Sequence, residues 1–207
     1  IKLIINQEII EVTGQPAFST LIDVYNKRIK KRNSNKKNLS ELKHIAFVSE
    51  PVSADQGNSI EENINYRGYT EKDVLRIFFD SIIEYKKKLT ISILPHPREN
   101  FLELKRYWNS LHGENVGTII ESNNNMDFIK NVDGVVGMSS TLLYESWLLG
   151  IPVFSIQPNL KSPLLKILQN KDNVEFVSET NNVKNRINSW IDRIISEDFF
   201  HDNDPNS

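Results

Sequence analysis

Three consecutive hydroxyl residues, Ser139-Ser140-Thr141, stand between a short apolar run, Gly134 to Val136, and a strong helix former, Leu142 to Leu149. A turn there lies at the carboxyl end of a strand and the amino end of a helix. Backbone N–H groups and the helix dipole at such a place favour an anion, and the hydroxyls add donors, so the chemistry suits a phosphate. Helix capping uses the same residue types, although a cap does not need three of them. Glu145 lies one turn into the helix. Next to a phosphate it would repel; set back from one, it could accept two hydroxyl hydrogen bonds, as a ribose diol requires. A surface glutamate favoured by the helix dipole is the other reading, but Leu142, Leu143, Trp147, Leu148 and Leu149 leave this helix little polar surface.

His96 sits between Pro95 and Pro97, with Arg98 beyond. The prolines fix the backbone and so the direction of the imidazole. His96 and Arg98 together could hold a diphosphate, and the histidine could serve as acid or base. The alternative is a turn in which His96 bonds to backbone. Asp55, Asp73, Asp127 and Asp133 show no metal-ligand spacing, and no metal is expected. There is no Gly-x-Gly-x-x-Gly, no P-loop lysine and no Gly-x-Ser-x-Gly elbow, which disfavours a plain dinucleotide dehydrogenase, an NTPase or a serine hydrolase. The chain has no cysteine, so disulfides, zinc-thiolate sites and cysteine nucleophiles are excluded.

These residues need a scaffold, and the pattern supplies one. Gly150 can take the left-handed conformation that ends a helix, and Pro152 blocks its continuation before a second apolar run, Val153 to Ile156. The unit is βαβ, with parallel strands and a right-handed crossover. Upstream, Lys2 to Val12 holds apolar runs, Thr13-Gly14-Gln15-Pro16 reads as a turn, and Phe18 to Ile29 has helical spacing. Lys27 to Lys37 is a basic run, read as a solvated helix end or as a docking surface for acidic lipid or a partner. His44 to Val48 reads as a strand ending at Ser49-Glu50-Pro51. Val52 to Gly68 is a long polar loop of the kind that is often functional. Thr70 to Asp73 is a capping box with Asp in place of Glu, opening a helix to about Lys87. Strands follow at Leu89–Leu94, Val116–Ile120 and Val174–Val177. Helices are expected at Leu102–Leu111, Met126–Asn131, Leu164–Leu168 and Asn182–Ile195. The alternation predicts an α/β, Rossmann-like, doubly wound and mostly parallel sheet with helices on both faces. Residues 1–12 would be a strand or linker, 13–195 the domain and 196–207 a polar tail. Ligands of such sheets bind outside the carboxyl ends of the strands. Gly14, Ser49, Glu50, His96, Arg98 and Ser139 to Thr141 should therefore gather on one edge.

The 207 residues, 39% hydrophobic and 25% charged, suit a soluble globular protein. A net charge of -2 gives no reason to expect nucleic acid as a partner. The absence of cysteine fits the cytoplasm, and no apolar run approaches a membrane span and no signal peptide is visible. The chain opens on Ile1, as a fragment of a longer protein would.

The spacing Glu145-x-x-x-x-Gly150-x-Pro152 behind a hydroxyl-rich turn resembles the nucleotide-sugar site of GT-B-type glycosyltransferases. It is equally similar to that of UDP-N-acetylglucosamine 2-epimerases. Val12 to Pro16 is similar to the turn that opens the C-terminal domain in both. His96-Pro97 resembles the His-Pro element of the epimerases, of CDP-glycerol-type polymer transferases and of some sialyltransferases. The resemblance implies the C-terminal, donor-binding half of a GT-B enzyme. Ser139 to Thr141, with His96 and Arg98, would bind the donor phosphates, and Glu145 would hold the ribose. Gly14, Ser49 and Glu50 would add loop contacts. The donor would be a UDP-, CDP- or CMP-linked sugar, with no permanently bound cofactor, and the product a surface polysaccharide or glycoconjugate. The partner would be an N-terminal domain of the same protein, which also supplies the catalytic base. Through the full-length protein the domain could associate with the inner face of the membrane. Met138-Ser139-Ser140 replaces the Ser-Gly-Gly usual in epimerases, which favours a transferase over an epimerase or hydrolase. A non-catalytic nucleotide-binding or interaction module is the third reading.

Overall fold

A computed structural model describes Tyr25 and residues 42–121, 124–162, 166 and 168–200. The expectations for Lys2 to Val12, for Gly14 and its turn, for the Phe18 to Ile29 helix apart from Tyr25, for the basic run and for residues 201–207 of the tail lie outside these residues, as does most of Leu164–Leu168. The tail expected from residue 196 is not wholly polar and free, because Asp198–Phe200 form a 3-10 turn with Phe199 buried.

Six strands form one sheet: β1 Lys43–Val48, β2 Leu89–Leu94, β3 Gly117–Ile119, β4 Gly134–Gly137, β5 Val153–Ile156 and β6 Val174–Val177. Their order is β3-β2-β1-β4-β5-β6, and every pairing is parallel. The mostly parallel sheet of the sequence reading is thus wholly parallel among the described residues. The helices are α1 Val52–Gln56, α2 Glu71–Ile82, α3 Phe101–Ser110, α4 Asn125–Ile129, α5 Thr141–Leu148 and α6 Val183–Ser196.

Successive side chains of β1 serve opposite cores. Ile45 and Phe47 join one buried cluster with Phe78 of α2 and Trp190 of α6. Ala46 and Val48 join the other, with Leu143 of α5 and Ile151. Two-sided burial explains why the strands read as continuous apolar runs rather than alternating ones. Aromatic pairs lock the first layer: Phe47 stacks on Phe78 at 5.4 Å, and Phe154 meets Trp190 edge-on at 5.7 Å.

Local signals set the helix ends. Thr70 accepts from the Asp73 N–H while Asp73 accepts from the Thr70 N–H, so the capping box is closed with Asp as its acid. α2 stops at Ile82 and passes into a 3-10 turn, Ile83–Tyr85, short of the expected Lys87. Asn124 caps α4, and Gly150 takes φ 66 after α5. The stretch expected to be a long loop after β1 begins with the short helix α1 and then runs from Gly57 to Tyr69 as a strap.

The sheet reverses its winding between β1 and β4. Chain order moves from β1 outward to β3 on one side, then returns to β4 on the other. The carboxyl ends of β1 and β4 therefore flank the switch point where ligands of such sheets bind.

Candidate anion and nucleotide site at the switch point

Register brings the two strand ends together. Phe47 pairs with Val136, and three residues further along both strands Glu50 faces Ser139. The Ser139 N–H donates to Glu50 Oε2 at 2.7 Å, and its hydroxyl lies 3.1 and 3.2 Å from the two carboxylate oxygens. Ser140 caps α5, its hydroxyl accepting from the Leu142 N–H at 3.3 Å. Thr141 is exposed, and its side chain has no hydrogen bond among the described residues. The three hydroxyls thus divide the work: one braces the adjoining strand end, one caps, and one faces solvent.

The strap brings a cation to the same turn. Arg67 Nη1 donates to Ser139 Oγ at 3.0 Å, while its buried Nε has no hydrogen-bond partner. The strap is fixed on both sides of Arg67. The Lys161 N–H donates to the Arg67 carbonyl at 3.0 Å, and Lys161 lies over the Tyr66 ring at 5.5 Å. Gly68 has φ 104, and any Cβ there would fall 2.0 Å from the Asn159 carbonyl oxygen, so only glycine fits. The Tyr69 hydroxyl donates to Gln157 Oε1 at 3.1 Å. Gln157 Nε2 in turn donates to the Met138 carbonyl, which also accepts from the Ser155 hydroxyl. Gln157 and Ser155 are fully buried, so this network fixes the floor of the serine turn. Burial also pushes the Tyr69 phenol up, so it remains a donor.

The β2 end is held by Glu99. Its carboxylate accepts from the Ser49 hydroxyl at 2.7 Å and the His96 N–H at 2.6 Å, tying the ends of β1 and β2 together. His96 Nδ1 accepts from the Arg98 N–H at 3.2 Å. A neutral ring bonded in this way carries its proton on Nε2, which makes that edge a donor. Arg98 forms a bidentate pair with Asp55, both distances 2.8 Å, with an exposed guanidinium. A cavity of about 200 Å³ opens on this side, lined by Pro51, Ser53, Glu71, Arg98, Glu99 and Glu103 among others. It does not include Ser139.

Burial raises the carboxyls of Glu50, Glu99 and Glu145 above the usual carboxylate range. At Glu50 the Ser139 N–H, Arg67, the Ser139 hydroxyl and His96 oppose that rise. At Glu145 burial acts alone. Glu145 is half-buried, and its side chain makes no hydrogen bond or ion pair among the described residues. It lies four residues after Thr141, hence on the same helix face one turn behind it.

Ser49, Glu50, His96 and the Ser139 turn meet on one edge; Arg98 is engaged with Asp55 instead. Sequence reasoning missed Arg67, Tyr69, Glu99 and Gln157. One signal for Arg67 was present: it is the single Lys or Arg between Lys43 and Lys72. Among the described residues no group of His, Asp or Glu could hold a metal ion, and no helix is long and apolar enough to cross a membrane.

This Rossmann-like α/β architecture is similar in fold to about half the length of glycosyltransferase and UDP-N-acetylglucosamine 2-epimerase structures. The 2-epimerase from Neisseria meningitidis, bound to UDP-GlcNAc, is similar with 18% identity and a TM-score of 0.53, covering 94% of this chain and 49% of its own. The Methanocaldococcus jannaschii 2-epimerase, in complex with UDP-GlcNAc and UDP, gives 15%, 0.52, 92% and 49%. A variant of the wall teichoic acid polymerase TagF gives 12%, 0.51, 95% and 46%. The chain thus spans about half the length of these structures. The chain belongs to the family described as "Protein of unknown function (DUF354)", whose model matches residues 19–200. No curated protein matches it in sequence.

Proposed function

We propose that this chain is the donor-binding half of a nucleotide-sugar-dependent glycosyltransferase, working in surface polysaccharide or glycoconjugate synthesis with an N-terminal domain of the same protein. The observation that carries the reading is the Ser139 turn at the switch point, faced by Arg67 and followed by Glu145, whose carboxylate has no hydrogen bond among the described residues. The donor's phosphates would meet the Ser139 N–H, Thr141 and Arg67. His96 Nε2 would approach from the β2 end, and Glu145 would accept the ribose hydroxyls. Such fixed donors stabilise the charge that develops on a leaving diphosphate without a metal. Transfer itself would need the acceptor contacts and base of the second domain.

A 2-epimerase or hydrolase acting on a UDP-N-acetylhexosamine is the second reading. The likeness in fold to two 2-epimerases favours it, and the Met138-Ser139-Ser140 turn disfavours it.

The test is a thermal-shift panel of UDP, CDP, GDP, CMP and their sugars on the wild type, on Glu50→Gln and on Glu145→Ala. A ligand at a hundred times its dissociation constant adds about 2.7 kcal/mol of stability. The wild type should shift with one nucleotide family, and Glu145→Ala should lose most of that shift. If no nucleotide shifts either the wild type or Glu50→Gln, the function is wrong. An equal shift in Glu145→Ala would remove only the ribose assignment.

A further inference from the structure

The serine turn is met by an anion of the protein's own. The Glu50 carboxylate takes the Ser139 N–H and the Ser139 hydroxyl, and Arg67 reaches the same hydroxyl. These are donors that a phosphate at a helix N-terminus would use. Glu50 is not needed as a cap, because Ser140 caps α5. Nor does it consume the whole cation, because the buried Arg67 Nε has no hydrogen-bond partner.

We propose that Glu50 is a built-in competitor for the phosphate turn: a ligand's diphosphate displaces the carboxylate from Ser139, and Arg67 turns to the incoming oxygens. This deepens, and rests on, the nucleotide-binding reading above. The ligand class is a diphosphate, free or carried by a nucleoside. Backbone register fixes Glu50 just beyond β1, so the displaced carboxylate stays near the phosphate and binding takes up a proton. The charged and titratable groups that face it are Arg67 on the strap, Tyr69 at the strap's end, and His96 and Glu99 beyond β2. Arg67, and His96 where its ring is charged, oppose uptake; Glu99 and the ligand favour it.

Titration calorimetry of the full chain with UDP, CDP and pyrophosphate, in two buffers of different ionisation heat between pH 5.5 and 8, tests this. The wild type should take up protons on binding. Glu50→Gln should bind about tenfold tighter at pH 7.5, with that uptake abolished, and Arg67→Ala should weaken binding in both backgrounds. Thermal unfolding checks that the variants fold, and the buffer comparison on the wild type needs no variant. If Glu50→Gln binds no tighter, or wild-type binding moves no protons, Glu50 is a structural brace and the competitor is wrong, while nucleotide binding stands. Binding by Glu50→Gln alone supports the competitor. If neither protein binds any of the three probes, the competitor and the nucleotide site fall together.

Discussion

Two carboxylates flank the serine turn under opposite conditions. Glu50, on the β1 side, is held by the Ser139 N–H and hydroxyl, with Arg67 on the same hydroxyl. Glu145, on the helix side, is half-buried, and its carboxylate has no hydrogen bond or ion pair among the described residues. Both carboxyls are raised by burial, yet four neighbouring influences oppose the rise at Glu50 and none at Glu145. The difference separates two uses of one residue type. The Glu50 carboxylate has its partners within the fold, and on the proposed reading a ligand competes with it. The Glu145 carboxylate is partly desolvated without side-chain partners, and on the same reading it is left for the ribose.

The comparison is broken most completely at Gly137, which joins both sides. A Cβ there would lie 2.8 Å from the Val48 carbonyl oxygen and 2.8 Å from Leu143 Cδ1. The first contact is β1 backbone just before Glu50; the second is the helix that carries Glu145. Gly137→Ala therefore pushes both elements from the turn. Overpacking of this kind costs about 1–3 kcal/mol, and nucleotide-induced stabilisation should vanish with it. Urea denaturation with and without nucleotide measures both effects. A variant of unchanged stability that still responds to nucleotide would mean that the turn does not depend on this close approach.

The next effect separates the two carboxylates. Glu50→Ala leaves the Ser139 N–H without its acceptor, which costs about 1–3 kcal/mol where the group stays buried. Glu145→Ala removes a group with no internal bond to lose, so its stability should stay within about 0.5 kcal/mol of wild type. Equal losses in urea midpoint would erase the distinction and make Glu145 a structural residue.

How far the sequence reveals this edge follows from the range of each signal. The strands, the capping box at Thr70 and the turn at Gly150 rest on neighbours a few residues apart, and all stand at or near their expected positions. The grouping of Ser49, Glu50, His96 and Ser139 followed from topology, because strand ends of a parallel sheet share an edge. Arg67 was hidden because its partner is 72 residues away, across a strap whose path is set by Gly68 against Asn159 and by Lys161 against Arg67. Glu99 was hidden for a similar reason: its bond to Ser49 spans two strand ends. The engagement of Arg98 by Asp55 is also long-range, over 43 residues. Polar side chains in loops carry no periodicity that discloses such partners.

The smallest effect is the dependence of stability on pH, and its sign is unusual. Carboxylates held by cations in the native state lose stability as pH falls. Glu50, Glu99 and Glu145 do the reverse, because burial holds each folded carboxyl above its unfolded value. Their stabilisation is fully present below the unfolded value and is lost as pH rises through the raised one. Asp55 and Glu103, lowered by hydrogen bonds from Arg98 and Lys72, act oppositely but lie exposed to solvent, where screening leaves them little weight. His44, lowered by burial, also acts oppositely, one group against the three glutamates. Urea midpoints should therefore fall from mildly acidic toward neutral pH. Glu50→Gln and Glu145→Gln should each flatten that slope. Arg67→Gln should steepen it, because burial at Glu50 then meets less opposition, and the double variant Arg67→Gln, Glu50→Gln should not show the steepening. A slope unchanged by Arg67→Gln would mean that Arg67 does not moderate the Glu50 carboxyl, and that the two carboxylates differ only in hydrogen bonding.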